Sequence, residues 1–106
     1  MAGSLDSALK ERLRAVLDRQ QPVTEADLRK LAEEGRACAL ILGAQLARGE
    51  QRLGDLSADP ASSFSEIADT LRSVNELRPD LEELRELLDE LDARARALRA
   101  GWLSAL

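Results

Sequence analysis

The stretch Leu28–Leu56, LRKLAEEGRACALILGAQLARGEQRLGDL, decides the fold. Leu28, Leu31, Gly35, Cys38, Leu42, Leu46, Gly49, Leu53 and Leu56 recur in steps of three and four, with a second consecutive four at Leu42–Leu46. That is the heptad seam of a helix packed lengthwise on another helix, carrying one stutter. Beside the seam, Gly35, Ala39, Gly43 and Ala47 form a strip of small residues four apart. Glycine costs about 1 kcal/mol in a helix interior, so its repeated use here predicts close approach of a second helix.

The residues upstream define the start of this helix. Thr24 and Asp27 have capping-box spacing, and Val23 and Leu28 stand where a hydrophobic staple belongs. Downstream, Ser57-Ala58-Asp59-Pro60 breaks the pattern, and Ser63 with Glu66 repeats the capping-box spacing. From there a second seam runs through Phe64, Ile67, Leu71, Val74, Leu77, Leu81, Leu84, Leu88, Leu91, Ala95, Leu98, Trp102 and Ala105. Its irregular step lies at Leu71–Val74–Leu77 beside Pro79, and a proline inside a helix removes one hydrogen bond and crowds the preceding turn. The expected helices therefore cover 24–56 and 63–104, with a kink or break near 75–79.

Laid antiparallel, the two seams match when residue numbers total 120 near the turn (Leu56 with Phe64) and 119 farther out (Gly35 with Leu84). The stutter of one then falls opposite the irregularity of the other. A shorter amphipathic segment over 4–19, with Leu5, Leu9, Leu13 and Val16/Leu17 on one face, is capped by Ser4 and stopped before Pro22. Lys10, Glu11, Arg12 and Arg14 fall on its other faces, and Leu40, Ile41, Ala44 and Leu87 offer it an apolar surface off the main seam. The expectation is an all-α single domain over residues 1–106, an antiparallel helical hairpin with a short N-terminal helix packed on it as a three-helix bundle of unequal helices.

Composition narrows the function. The 106 residues hold 20 acidic and 15 basic side chains, no histidine and one cysteine, with Leu and Ala dominant and Phe64 and Trp102 the sole aromatics. Without histidine there is no Ser-His or Cys-His pair and no imidazole ligand, so neither an enzyme nor a resident metal or cofactor is expected. Cys38 lies in an apolar run that predicts core packing and an inert thiol. Asp55 and Asp59 are too few oxygens for a calcium loop, and read as a turn. The seven carboxylates of Asp80–Asp92 lie mostly off the seam, with Glu90–Arg94 and Asp92–Arg96 at i, i+4, as on a solvated helix face.

Segment charges of +1, −2, −7 and +3 over 1–21, 22–60, 61–93 and 94–106 leave no basic patch large enough for nucleic acid. No signal segment is visible, and the most apolar run, Ala37–Ala47, is far short of a membrane span. A cytoplasmic location is expected, with the nucleus left open. The seams that outrun their partners point to a non-catalytic interaction module, a small subunit or adaptor, hetero- or homo-oligomeric, with Leu71, Leu98, Trp102 and Leu106 as candidate anchors. The tail 94–106, three arginines followed by Trp102, Leu103 and Leu106, gives the alternative of a peripheral membrane contact through a basic amphipathic helix.

Overall fold

Three helices form where the periodicity places them, and no strand occurs among the described residues. The computed structural model describes residues 2–18 and 24–105, with side chains for 7–18 and 24–104. Helix α1 spans Ala2–Leu17, α2 Glu25–Ala58 and α3 Phe64–Ala105. The capping box of α2 is complete: Thr24 N donates to Asp27 Oδ2 at 3.2 Å, and Asp27 N donates to Thr24 Oγ1 at 3.1 Å. At α3, Ser63 Oγ accepts from Glu66 N at 3.1 Å. Asp59 shapes the turn between them, its Oδ1 accepting from Ala61 N at 2.9 Å. Ser4, expected to cap α1, lies inside that helix.

The chain forms two compact units. In the first, built by residues up to Cys38 together with those from Leu84, α1 packs on the two long helices. Leu9 and Leu13 of α1, Leu28, Leu31 and Ala32 of α2, and Leu84, Leu88 and Leu91 of α3 are buried there. Arg12 pairs with Glu34 at 2.9 Å and Arg36 with Asp92 at 2.9 Å. Asp92, expected to pair with Arg96 one turn on, thus reaches across to α2. Lys10, expected on the outer face, is buried. A helix lying against two others turns an arc wider than its leucines inward, and a lysine stem can lie along that arc. Cys38, expected in the core, is half-buried.

The second unit, Ala39–Glu83, is a helical hairpin with Leu42, Val74 and Leu81 buried. Its register differs from the one the seams suggest. Gly49 lies against Val74, where an added Cβ would sit 3.0 Å from Val74 Cγ2, and Gly43 lies against Leu81. In the first unit Gly35 lies against Leu88 rather than Leu84. These pairs total 123 or 124, about one helical turn beyond the expected 119 to 120. The cause is at the turn: α2 continues to Ala58 and α3 starts at Phe64, which moves the hairpin's centre toward Ala61. Phe64 was expected against Leu56. It is exposed, because in this register it falls opposite the turn, past the last residue of α2.

Leu40, Ile41 and Ala44, expected to lie under α1, are exposed. Helix α1 meets α2 instead at Glu34, through Arg12. Helix α3 runs without a break through Pro79. The proline leaves the Asn75 carbonyl without its helical donor, and both residues are exposed, so water can take that bond.

The glycines separate two roles. A Cβ on Gly35 would overlap Leu88 Cδ2, whereas at Gly54 nothing stands within 4 Å. Gly54→Ala is expected to raise stability by about 0.5–1 kcal/mol through helix propensity alone. Gly35→Ala is expected to lose about 1–2 kcal/mol net, because overpacking against the buried Leu88 outweighs the same propensity gain. Thermal melts of the two variants, read for opposite signs, check the assignment.

Candidate functional site

The candidate site follows from where α2 begins. Helix α2 starts at Glu25, while the seam of α3 continues past Ala95 to Leu98 and Trp102. Beyond the first turn of α2 those residues have less to pack on, and a groove of about 590 Å³ opens there within the first unit. Leu28 and Ala95 line it together with Leu98, Trp102 and Leu103, and Thr24, Glu25 and Arg99 complete the lining. Leu28 is buried; Leu98 is exposed, and Trp102 and Leu103 are 78% and 72% exposed.

Local geometry makes one wall rigid. The Thr24–Asp27 capping box fixes the first turn of α2, and Glu25 is drawn toward the groove by Arg99, whose Nε donates to Glu25 Oε1 at 2.9 Å. Arg29 approaches the same carboxylate oxygen at 3.6 Å. These pairs are exposed and contribute little stability, but they hold charge of both signs on the lining. The other wall, the end of α3, presents an indole, two leucines and an alanine.

Of the four residues expected to anchor a partner, Leu98 and Trp102 come together in this groove. Leu71 is exposed but belongs to the hairpin unit, and Leu106 lies outside the described residues. The sequence reading did not single out Thr24, Glu25 or Leu28 as parts of a site, and it took Arg99 and Leu103 only as part of a tail suited to a membrane surface. The capping box was the available signal, since it marks where α2 starts and hence where the α3 seam is left uncovered.

Elsewhere, Glu82, Glu86, Asp89 and Glu90 are exposed along α3. Among the described residues no group of three or more thiol or carboxylate side chains is placed to hold a metal ion, and no helix is long and apolar enough to cross a membrane. No protein-family model, curated protein or solved structure matches the chain.

Proposed function

We propose that the chain is a non-catalytic helical interaction module, a small subunit or adaptor that takes an apolar helix of another protein in the groove between the start of α2 and the end of α3. The observation that carries this reading is the 78% exposure of Trp102 beside Leu98 and Leu103 in a groove floored by buried Leu28. A large aromatic side chain set at the edge of a preformed apolar groove is the usual form of an interface hot spot, because it offers much contact area with little rotamer entropy to lose.

The test is affinity capture with the full chain, wild type against Trp102→Ala, followed by quantitative mass spectrometry. One or a few proteins are expected to copurify in stoichiometric amounts and to fall about thirtyfold with Trp102→Ala, the equivalent of a hot spot of about 2 kcal/mol. Equal recovery by the two chains refutes the groove as the docking site. The position is exposed, so the variant is expected to keep its fold.

A second reading rests on the same exposed pair. Trp102 and Leu103 next to Arg96 and Arg99 also suit the headgroup region of an anionic membrane. It predicts salt-sensitive binding to phosphatidylserine vesicles that is lost on deleting 94–106. Equal binding to neutral vesicles, or none to either, removes it.

A further inference from the structure

The hairpin unit, Ala39–Glu83, carries an unpartnered face of its own. On α2, Leu40 and Ile41 are 76% and 58% exposed, and Ala44 beside them is exposed. The same side of the helix continues over the next three turns to exposed Arg48, Gln51, Arg52 and Asp55. Leu40, Ala44, Arg48 and Arg52 form one ridge of side chains four apart, with Ile41 alongside. The unit is acidic as a whole, since residues 39–83 hold nine side-chain carboxylates and four arginines. Two of those arginines are matched, Arg72 with Asp69 at 3.5 Å and Arg78 with Glu50 at 3.6 Å. The other two are Arg48 and Arg52, and neither forms an ion pair among the described residues. Arg48 Nε donates to Ala44 O at 3.4 Å. Asp55 follows Arg52 on the same face, but its Oδ1 accepts from Gln51 Nε2 at 3.3 Å.

Both arginines that lack a carboxylate therefore stand in one place, directly beyond the exposed Leu40–Ile41 pair. One turn apart, they repel each other rather than support the helix. We infer that this face docks an amphipathic helix of another protein, with apolar side chains over Leu40, Ile41 and Ala44 and two carboxylates over Arg48 and Arg52. Ile41 and Arg48 are about 10 Å apart along the helix axis. The partner's carboxylates accordingly lie about two turns from its apolar anchor and one turn from each other. Ala44 is small enough to let the partner's ridge approach closely, and the charge pairs fix register more than they add affinity. Asp55 closes the positive stretch and repels a carboxylate placed farther along. A second copy of this stretch does not fit. Laid parallel, it sets Arg48 on Arg48 and Arg52 on Arg52; laid antiparallel about its midpoint, it sets Arg52 on Leu40 and Arg48 on Ala44. An anionic membrane is opposed by the unit's excess of carboxylates, and α2 has no aromatic side chain to anchor in one. The face shares no residue with the groove at the end of α3 and is independent of it.

The experiment selects binders to the full chain from a displayed library of amphipathic helices of about five turns. Their apolar stripe is fixed as Leu and Ala, and the flanking positions vary among Asp, Glu, Lys, Arg and Gln. Enriched peptides are expected to include a class with two carboxylates four residues apart, two turns from an apolar anchor. One such peptide, labelled and titrated, is expected to bind at least about tenfold more weakly to Ile41→Glu and about tenfold more weakly to Arg48→Glu/Arg52→Glu. The circular dichroism spectra stay unchanged, since all three positions are exposed. Replacing the peptide's two carboxylates by lysine restores affinity for the doubly reversed chain to within about threefold, as expected of direct charge pairs. Arg72→Glu, the same charge change on α3, leaves binding as it was. A selection that yields no such acidic peptide overturns the inference, and so does a failure of the charge-reversed pair to recover. Affinity that survives Ile41→Glu but falls with Trp102→Ala overturns it too, by placing the peptide in the groove. Binding of the chain to phosphatidylserine vesicles that is lost with Arg48→Glu/Arg52→Glu overturns it by assigning the face to a membrane.

Discussion

Replacing Leu84 by alanine is expected to remove about 3–5 kcal/mol of unfolding free energy. Leu84 has no accessible surface, and its neighbours on the same stripe of α3, Leu81 and Leu88, are buried too. Truncation there loses the transfer free energy of the missing carbons and leaves a cavity that two long helices cannot close without moving along much of their length. A chain of this size is stable by about 5–15 kcal/mol in all, so the loss is about a fifth or more of the total, and the melting temperature is expected to fall by roughly 15 °C. Urea unfolding followed by circular dichroism measures it, with an unchanged slope showing that the native state stayed compact. The exposed Leu103 provides the comparison: Leu103→Ala is expected to change stability by less than about 0.5 kcal/mol. A cost below about 1 kcal/mol at Leu84 would mean that this interior is loosely packed.

Periodicity made the helices legible, and it could not make their register legible. The seam of α2 and that of α3 are local patterns, and the two capping-box spacings are local as well. Sliding one helix by four residues turns it by little more than one full turn and leaves leucines facing leucines. The apolar pattern is therefore nearly indifferent to the slip. What selects the register is the turn, where Asp59 and the two extra residues of α2 set the centre, and helix ends are where sequence patterns are weakest. The same slip explains exposed Phe64.

Long-range polar partners escaped for a different reason. Arg94 lies four residues after Glu90, which suggests a local pair, yet its guanidinium reaches Val16 and Leu17, more than 70 residues away. Nothing in the local pattern encodes that contact, and the same holds for Arg36 with Asp92. The exposure of Leu98 and Trp102 was legible because it follows from a local fact, the start of α2 at its capping box. The walls around them depend on which turn of α3 stands opposite that start, and hence on the register.

Leu13→Ala is expected to release α1 from the other two helices. Leu13 is fully buried, and the docking of α1 rests on it, on Leu9, on the buried stem of Lys10 and on polar contacts that include one to α2 and one to α3. One of these is the exposed Arg12–Glu34 pair at 2.9 Å, worth little by itself. The other is Arg94, which donates from one terminal nitrogen to Leu17 O at 2.8 Å and from the other to Val16 O at 3.3 Å. Those carbonyls belong to the last turn of α1, where no further helical N–H is available to them, and a cation there also meets the negative end of the helix dipole. Arg94→Met keeps the aliphatic stem but removes both donors, and is expected to cost about 1–2 kcal/mol. Leu13→Ala is expected to cost about 3–4 kcal/mol. An isolated 16-residue helix is marginal in water, so the amides of α1 should lose their hydrogen-exchange protection before those of α2 and α3 do. In the double variant the two costs are expected to fall short of adding, since a helix already released by Leu13→Ala has no carbonyl left in place for Arg94. Exchange that rises evenly over all three helices would mean that α1 unfolds only with the whole chain, and that its docking is part of one cooperative core.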